Sequence, residues 1–138
     1  MIEREGCPEI PAVGTPRRIL IVEDDSDNRE LMRLLLETYG HEVHDAADGV
    51  SGVALAARCQ PDIVLIDIGL PGMDGYEVAR QIRSTLHDRA RLIALSGYGQ
   101  QEDRQRAFDA GFDEHLLKPV DPELLSAELA LGPGARPT

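Results

Sequence analysis

The stretch IVLIDIGLPGMDGYEVAR, residues 63–80, decides the fold. Ile63-Val64-Leu65-Ile66 is an unbroken apolar run that stops at Asp67. Such a run fits a strand covered on both faces, as a parallel sheet requires. A short link follows. Asp74 and Glu77 then resemble a capping box with Asp in the cap position, and Val78, Ala79, Ile82 and Leu86 recur on one helix face.

The same unit repeats on either side. Ile19-Leu20-Ile21-Val22 is a second buried-strand run, ending at Glu23-Asp24-Asp25. From Ser26 to Tyr39, Leu31, Met32, Leu34, Leu35, Leu36 and Tyr39 recur at helical spacing, and Gly40 fits a helix stop. His41–Asp45 is a short strand around Val43. Asp48 fits an N-cap, followed by a helix with Val50, Val53, Ala54 and Ala57 as its face. Leu92-Ile93-Ala94-Leu95 is a fourth strand, residues 100–110 a polar helix stopped by Gly111, and Leu116-Leu117 part of a fifth strand. Asp121-Pro122 reads as a cap and first helical residue. The count is (βα)5, which implies a doubly wound parallel five-stranded sheet with helices on both faces. Residues 1–16 and 132–138 are rich in Pro and Gly and read as a flexible arm and tail around one domain over 17–131.

The chain has 138 residues, 42% hydrophobic and 28% charged, enough for one ordinary domain that needs no disulfide or metal to fold. Its net charge is −11, from 25 acids against 14 bases, and no basic run exceeds Arg17-Arg18. That argues against nucleic acid as a direct partner and is compatible with a divalent cation. Cys7 and Cys59 form no CxxC pair and read as reduced thiols of a cytoplasmic protein. No run reaches the length of a membrane span, and no secretory h-region opens the chain.

In sheets of this kind ligands sit outside the carboxyl ends of the strands. There the sequence sets Glu23-Asp24-Asp25, Asp67, Ser96-Gly97 and Lys118-Pro119. Each type has an ordinary place at a strand end: acids cap helices, Ser turns the chain, Lys is solvated. Asp67 is the exception, because a carboxylate at a central strand exit is costly without a partner. Together these residues compose a cation and phosphoryl site. Mg²⁺ takes oxygen ligands and relieves repulsion between carboxylates. The Lys118 ammonium would stabilise a phosphoryl group on Asp67, Ser96 could donate to its oxygens, and Gly97 leaves room.

The motifs ILIVEDD, IVLIDIGLPGMDGYEVAR, IALSGYG and LLKPVD, in this order and spacing, resemble a bacterial response-regulator receiver domain across roughly residues 17–131. The resemblance implies the flavodoxin-like strand order 2-1-3-4-5. It implies that Asp67 accepts a phosphoryl group from a histidine kinase or a histidine phosphotransfer protein. Asp24, Asp67 and the Gly69 carbonyl would hold Mg²⁺, with Mn²⁺ able to substitute, and Glu23 would act mainly through water. Ser96 matches the switch hydroxyl and Lys118 the site lysine. The Lys118-Pro119 peptide is expected to be cis, and Pro71 and Gly75 match the turn after the acceptor strand. The segments DIGLPGMDGYEVAR and GFDEHLLKPVD are most similar to receivers at the C-terminus of hybrid histidine kinases. A stand-alone regulator is the alternative; in either case the oligomeric state is left open between monomer and weak dimer, and the reading places no output domain after Leu131.

Two departures stand out. The acidic pair is Glu23-Asp24 where many members have two aspartates. His115 stands three residues before Lys118, where Tyr or Phe is usual. Either His115 lies on the surface, or it makes the inward swing of that aromatic. In the second case burial would favour neutral imidazole, and acid would oppose the active state. Two other classes fit worse. A phosphohydrolase with a DxD nucleophile motif would need an acid two residues after its nucleophile, where Gly69 and Ser26 stand. A flavin carrier would need a phosphate loop where Glu23-Asp24-Asp25 stands, and aromatics are only 4% of the chain.

Overall fold

The computed structural model describes residues 16–97 and 104–132. The arm over 1–16 and the tail over 132–138 therefore lie outside the described residues except for Pro16 and Gly132, as does the start of the polar helix read over 100–110. The elements are β1 (Arg18–Val22), α1 (Ser26–Thr38), β2 (Glu42–Ala46), α2 (Gly49–Cys59), β3 (Ile63–Asp67), α3 (Gly75–Leu86), a 3-10 turn (His87–Arg89), β4 (Arg91–Ser96), α4 (Arg104–Ala110), β5 (Glu114–Leu117) and α5 (Pro122–Leu131). The five strands are parallel in the order β2-β1-β3-β4-β5.

The alternation of side chains along each strand divides the interior in two. Leu20, Val22, Val64, Ile66, Leu92 and Ala94 face α2, α3 and α4. Ile19, Ile21, Ile63, Leu65, Ile93 and Leu95 face α1 and α5. All twelve are fully buried, and each such aliphatic side chain larger than alanine contributes about 1.5–3 kcal/mol. Burial on both faces is why these strands read as continuous apolar runs rather than alternating ones.

The helix starts follow the capping residues. Asp25 accepts from the amides of Asp27 and Asn28, Asp48 from Ser51, Asp74 from Glu77 and Asp121 from Glu123. Two helix faces differ from the sequence reading. In α2 the buried stripe is Gly49, Gly52 and Ala56, while Val50, Ala54 and Ala57 are exposed. The cause is close approach: a Cβ on Gly52 would lie 2.8 Å from Val22 Cγ2, so α2 presents its small residues to the sheet. In α1 Leu36 is the buried residue, and Leu31 and Leu34 are 68% and 51% exposed.

Polar ties fasten the far ends of the elements. Arg83 of α3 donates to Asp113 at 2.7 Å, and also to the carbonyls of His87, Ala90 and Gly111. Arg91, 3% exposed at the start of β4, pairs with Glu128 of α5 at 2.6 Å. Arg17 donates to the carbonyls of Leu129 and Ala130 at the end of α5.

Candidate phosphoryl and metal site

The phosphoryl and metal candidates sit at the carboxyl edge of the sheet or just after it, and His115 lies within β5. Asp67 ends β3, Ser96 ends β4 with Gly97 next, Glu23 and Asp24 follow β1, and Lys118 follows β5. In-register pairing brings them together: Val22 pairs with Ile66, Asp67 with Leu95, and Ser96 with Leu117.

Asp67 is 5% exposed, and its Oδ1 accepts from the Gly69 amide at 2.9 Å. Its Oδ2 lies 3.3 Å from Lys118 Nζ. The same ammonium donates to Glu23 Oε1 at 3.0 Å. Glu23 is 2% exposed, and its Oε2 accepts from the Asp25 amide at 3.2 Å. Asp24 is exposed at the mouth of the site. One carboxylate oxygen from each of Glu23, Asp24 and Asp67 lies within 4.8 Å of the others.

Three acids thus face one ammonium. Burial pushes the Glu23 carboxyl above its ordinary range, against the pull of the Lys118 and Asp25 hydrogen bonds, and the Asp67 charge pushes the same way. Burial works to lower Lys118, but hydrogen bonding to Glu23 and the charges of both acids outweigh it, so its pKa is raised. Lys118 is therefore an ammonium held between two acids. An all-oxygen donor set with excess negative charge, partly open to solvent through Asp24, is the chemistry Mg²⁺ selects. The residues present fit that ion.

The turn after β3 is shaped by close packing. A Cβ on Gly75 would lie 2.5 Å from Ile68 Cα and 2.6 Å from the Asp67 carbonyl oxygen, so α3 begins against the backbone at the end of β3. The Lys118-Pro119 peptide is cis, and the Lys118 amide donates to the Ser96 carbonyl at 2.7 Å. Ser96 is fully buried, and its Oγ lies 2.7 Å from His115 Nε2.

Sequence reasoning missed two features. Arg29 of α1 donates to the Glu23 carbonyl at 2.9 Å, fixing the backbone beneath the acid pair. A groove of about 470 Å³ runs from Glu23, Gly97 and Lys118 to Leu31, Met32 and Leu35 of α1. Its signal was present in the sequence: α1 carries more leucines than one buried face can take.

A parallel sheet with an acid cluster, a lysine and a buried hydroxyl at its carboxyl edge defines a phosphoacceptor domain. Comparison with known proteins agrees. Residues 19–130 match the response regulator receiver domain. The chain is 37% identical over 113 residues to the DNA-binding dual master transcriptional regulator RpaA of Synechocystis sp., covering 81% of this chain and 47% of that protein. Among solved structures it resembles a CheY-like response regulator receiver domain protein from Methanospirillum hungatei, with a TM-score of 0.76 and 32% identity over 83% of this chain and 91% of that one. It also resembles the receiver domain of sensor histidine kinase PA1611 from Pseudomonas aeruginosa, described with a magnesium ion coordinated in its active site cleft. There the TM-score is 0.73 and the identity 32%, over 85% of this chain and 96% of that one. The chain belongs to the response-regulator receiver family. It is a receiver domain of two-component signalling, and it spans about half the length of several of the curated regulators it matches.

Proposed function

We propose that Asp67 is the phosphoacceptor and that Glu23, Asp24, Ser96 and Lys118 serve its phosphorylation. An Asp67 oxygen attacks the phosphorus of a phosphohistidine on a kinase or phosphotransfer protein. The P–N bond breaks, the imidazole leaves and takes a proton from solvent, and the aspartyl phosphate remains until water hydrolyses it. Lys118 neutralises the phosphoryl oxygens, and Ser96 donates a hydrogen bond to one of them. Asp24, Asp67 and the Gly69 carbonyl would hold Mg²⁺, with Glu23 acting through water, and Mn²⁺ suits the same oxygens. When bound, the ion supplies positive charge that offsets the carboxylates and the incoming phosphoryl group.

One observation carries the reading. Asp67, buried at a strand exit, lies within 4.8 Å of two further carboxylates and 3.3 Å from an ammonium. A structural aspartate would have no use for two more acids. The groove reaching the exposed Leu31 of α1 supports a protein as the phosphodonor.

The domain is taken to be residues 17–131 of a cytoplasmic protein. The segment itself signals by protein contact. Its −11 charge opposes direct contact with DNA, although one relative that it covers to 47% is a DNA-binding regulator. A receiver borne by a hybrid histidine kinase and one borne by a response regulator would share this site. The motif pattern favours the first and the curated relatives the second.

Incubation with acetyl phosphate and Mg²⁺, followed by intact-mass analysis, tests the acceptor. One phosphoryl group is expected on the wild type and none on Asp67→Asn. Equal incorporation in both would end the assignment. Tight, salt-sensitive DNA binding by this chain alone would end the protein-contact reading.

A further inference from the structure

Ser96 and His115 form a side-chain pair across neighbouring strands. Ala94 lies opposite His115 in the β4–β5 register, so the imidazole reaches along β4 to the hydroxyl two residues on. The Oγ to Nε2 distance is 2.7 Å, and Ser96 is fully buried. Beside the ring a cleft of about 180 Å³ opens, lined by Ala107 and Phe108 of α4 and by Phe112. The ring thus has a place to turn when it leaves Ser96.

A serine hydroxyl has one proton to donate. When Nε2 presents its lone pair, that proton goes to the imidazole and is withheld from any other acceptor. An imidazolium carries protons on both nitrogens. Its Nε2–H then donates to Oγ, and the hydroxyl proton is released for a third group.

We propose that His115 is a positioning residue, a latch that withholds the Ser96 hydroxyl while the imidazole accepts from it. Protonation of His115, or rotation of its ring into the cleft, frees the hydroxyl for the phosphoryl group on Asp67. The latch rests on the reading of Ser96 as a phosphoryl donor. It also changes a sign. An imidazole that swings inward only on activation makes acid oppose the active state. An imidazole already on Ser96 makes acid favour it.

Among the described residues, the charged groups around the ring are few. On its own strand Glu114 Oε1 accepts from the His115 amide at 2.9 Å. At the strand start Asp113 is paired with Arg83 of α3. Lys118, whose amide donates to the Ser96 carbonyl, is paired with Glu23 and Asp67, and α4 lines the cleft with Ala107 and Phe108. The acids give the site a pH response of its own, so the latch is read as a ratio between variants that share those acids.

The test is a beryllofluoride titration in Mg²⁺, followed by NMR, at about pH 8 and about pH 5.5, either side of the imidazole range. The proteins are wild type, His115→Gln, His115→Phe and Ser96→Ala. Gln keeps a polar group near Ser96 and does not titrate, and Phe removes the competing acceptor. Affinity of the wild type relative to His115→Gln is expected to rise as the pH falls, by about 2- to 12-fold, the net worth of one hydrogen bond. His115→Phe is expected to bind more tightly than wild type at the higher pH and equally at the lower. In the free protein, imidazole ¹⁵N shifts of His115 are expected to show Nε2 as the unprotonated nitrogen at the higher pH. Ratios to both His115 variants that do not change with pH, with Ser96→Ala weakened, overturn the latch alone. Ser96→Ala binding as tightly as wild type overturns the Ser96 reading and the latch together.

Discussion

Replacing Asp67 by Asn should make the metal-free protein more stable while disabling it. The ionised carboxylate has two like charges within 4.8 Å and one ammonium at 3.3 Å. At an effective dielectric of about 20, each repulsion is worth about 3–4 kcal/mol and the attraction about 5 kcal/mol. Asp24 is exposed, so solvent screens much of its share. The attraction and the remaining repulsion then nearly cancel, and the desolvation of a carboxylate that is 5% exposed is left uncompensated. Asn keeps an oxygen for the Gly69 amide and removes the charge. The expected gain is about 1–3 kcal/mol. Urea denaturation followed by circular dichroism, in chelator and in saturating Mg²⁺, measures it. The ion binds the wild-type native state and raises its stability by mass action, so the advantage of Asp67→Asn should shrink or reverse when Mg²⁺ is added. An Asp67→Asn protein less stable than wild type in chelator would refute the charge argument. So would equal stabilisation of both by Mg²⁺.

Three further outcomes follow from particular contacts. Gly75→Ala places a methyl 2.5 Å from Ile68 Cα and 2.6 Å from a backbone oxygen, neither able to move cheaply. It should cost about 2 kcal/mol or more and slow acetyl-phosphate labelling, and an unchanged urea midpoint would contradict the packing. Burial, and then the Arg17 charge, hold the His41 imidazole below its ordinary pKa. The unfolded chain therefore binds the extra proton first, and this contribution is full above about pH 6.5 and lost as the pH falls, by at most about 1.4 kcal/mol per pH unit. His41→Asn, which offers an oxygen to the Arg17 amide that His41 Nδ1 now accepts from, should flatten that acid slope in urea melts at successive pH values. Glu128→Leu strips the carboxylate from Arg91, which is 3% exposed, and should cost about 3 kcal/mol. A loss below about 0.5 kcal/mol would show the pair to be replaceable.

The parallel sheet was legible because both faces of the central strands are covered, whereas the order of its strands was implied only by the family resemblance. A run as short and as apolar as Ile63–Ile66, closed by an acid, fits little besides a strand buried on both sides. The caps were legible because Asp48, Asp74 and Asp121 act within three residues of themselves. The face of α2 was not, since apolar periodicity marks large residues and this helix approaches the sheet through glycine and alanine. Within the acid run after β1, Asp25 takes the ordinary part, as the cap of α1, whereas Glu23 turns inward to Lys118. No pattern in the sequence separates those two roles. The Ser96–His115 contact is set by register between β4 and β5, nineteen residues apart in the chain, and register is a property of the folded sheet.

Charge then explains why a site so nearly balanced can report one phosphoryl transfer. On the proposed assignment, phosphorylation of Asp67 would replace a single negative charge by a dianion carrying more acceptor oxygens. Lys118, shared between Glu23 and Asp67, would be drawn toward the new oxygens, leaving Glu23 with less of the ammonium that offsets its burial. The lysine cannot shift alone. Its amide is bonded to the Ser96 carbonyl, and its carbonyl leads through Pro119 and Val120 to Asp121, the cap of α5. Ser96 cannot turn alone either, because its hydroxyl is engaged by His115 on the neighbouring strand. A charge added at β3 would therefore be felt first at the exits of β4 and β5 and at the start of α5. The stiff interior beneath them, buried on both faces of the sheet, resists taking up the change. The surface of α4, β5 and α5 is where a partner should read the difference.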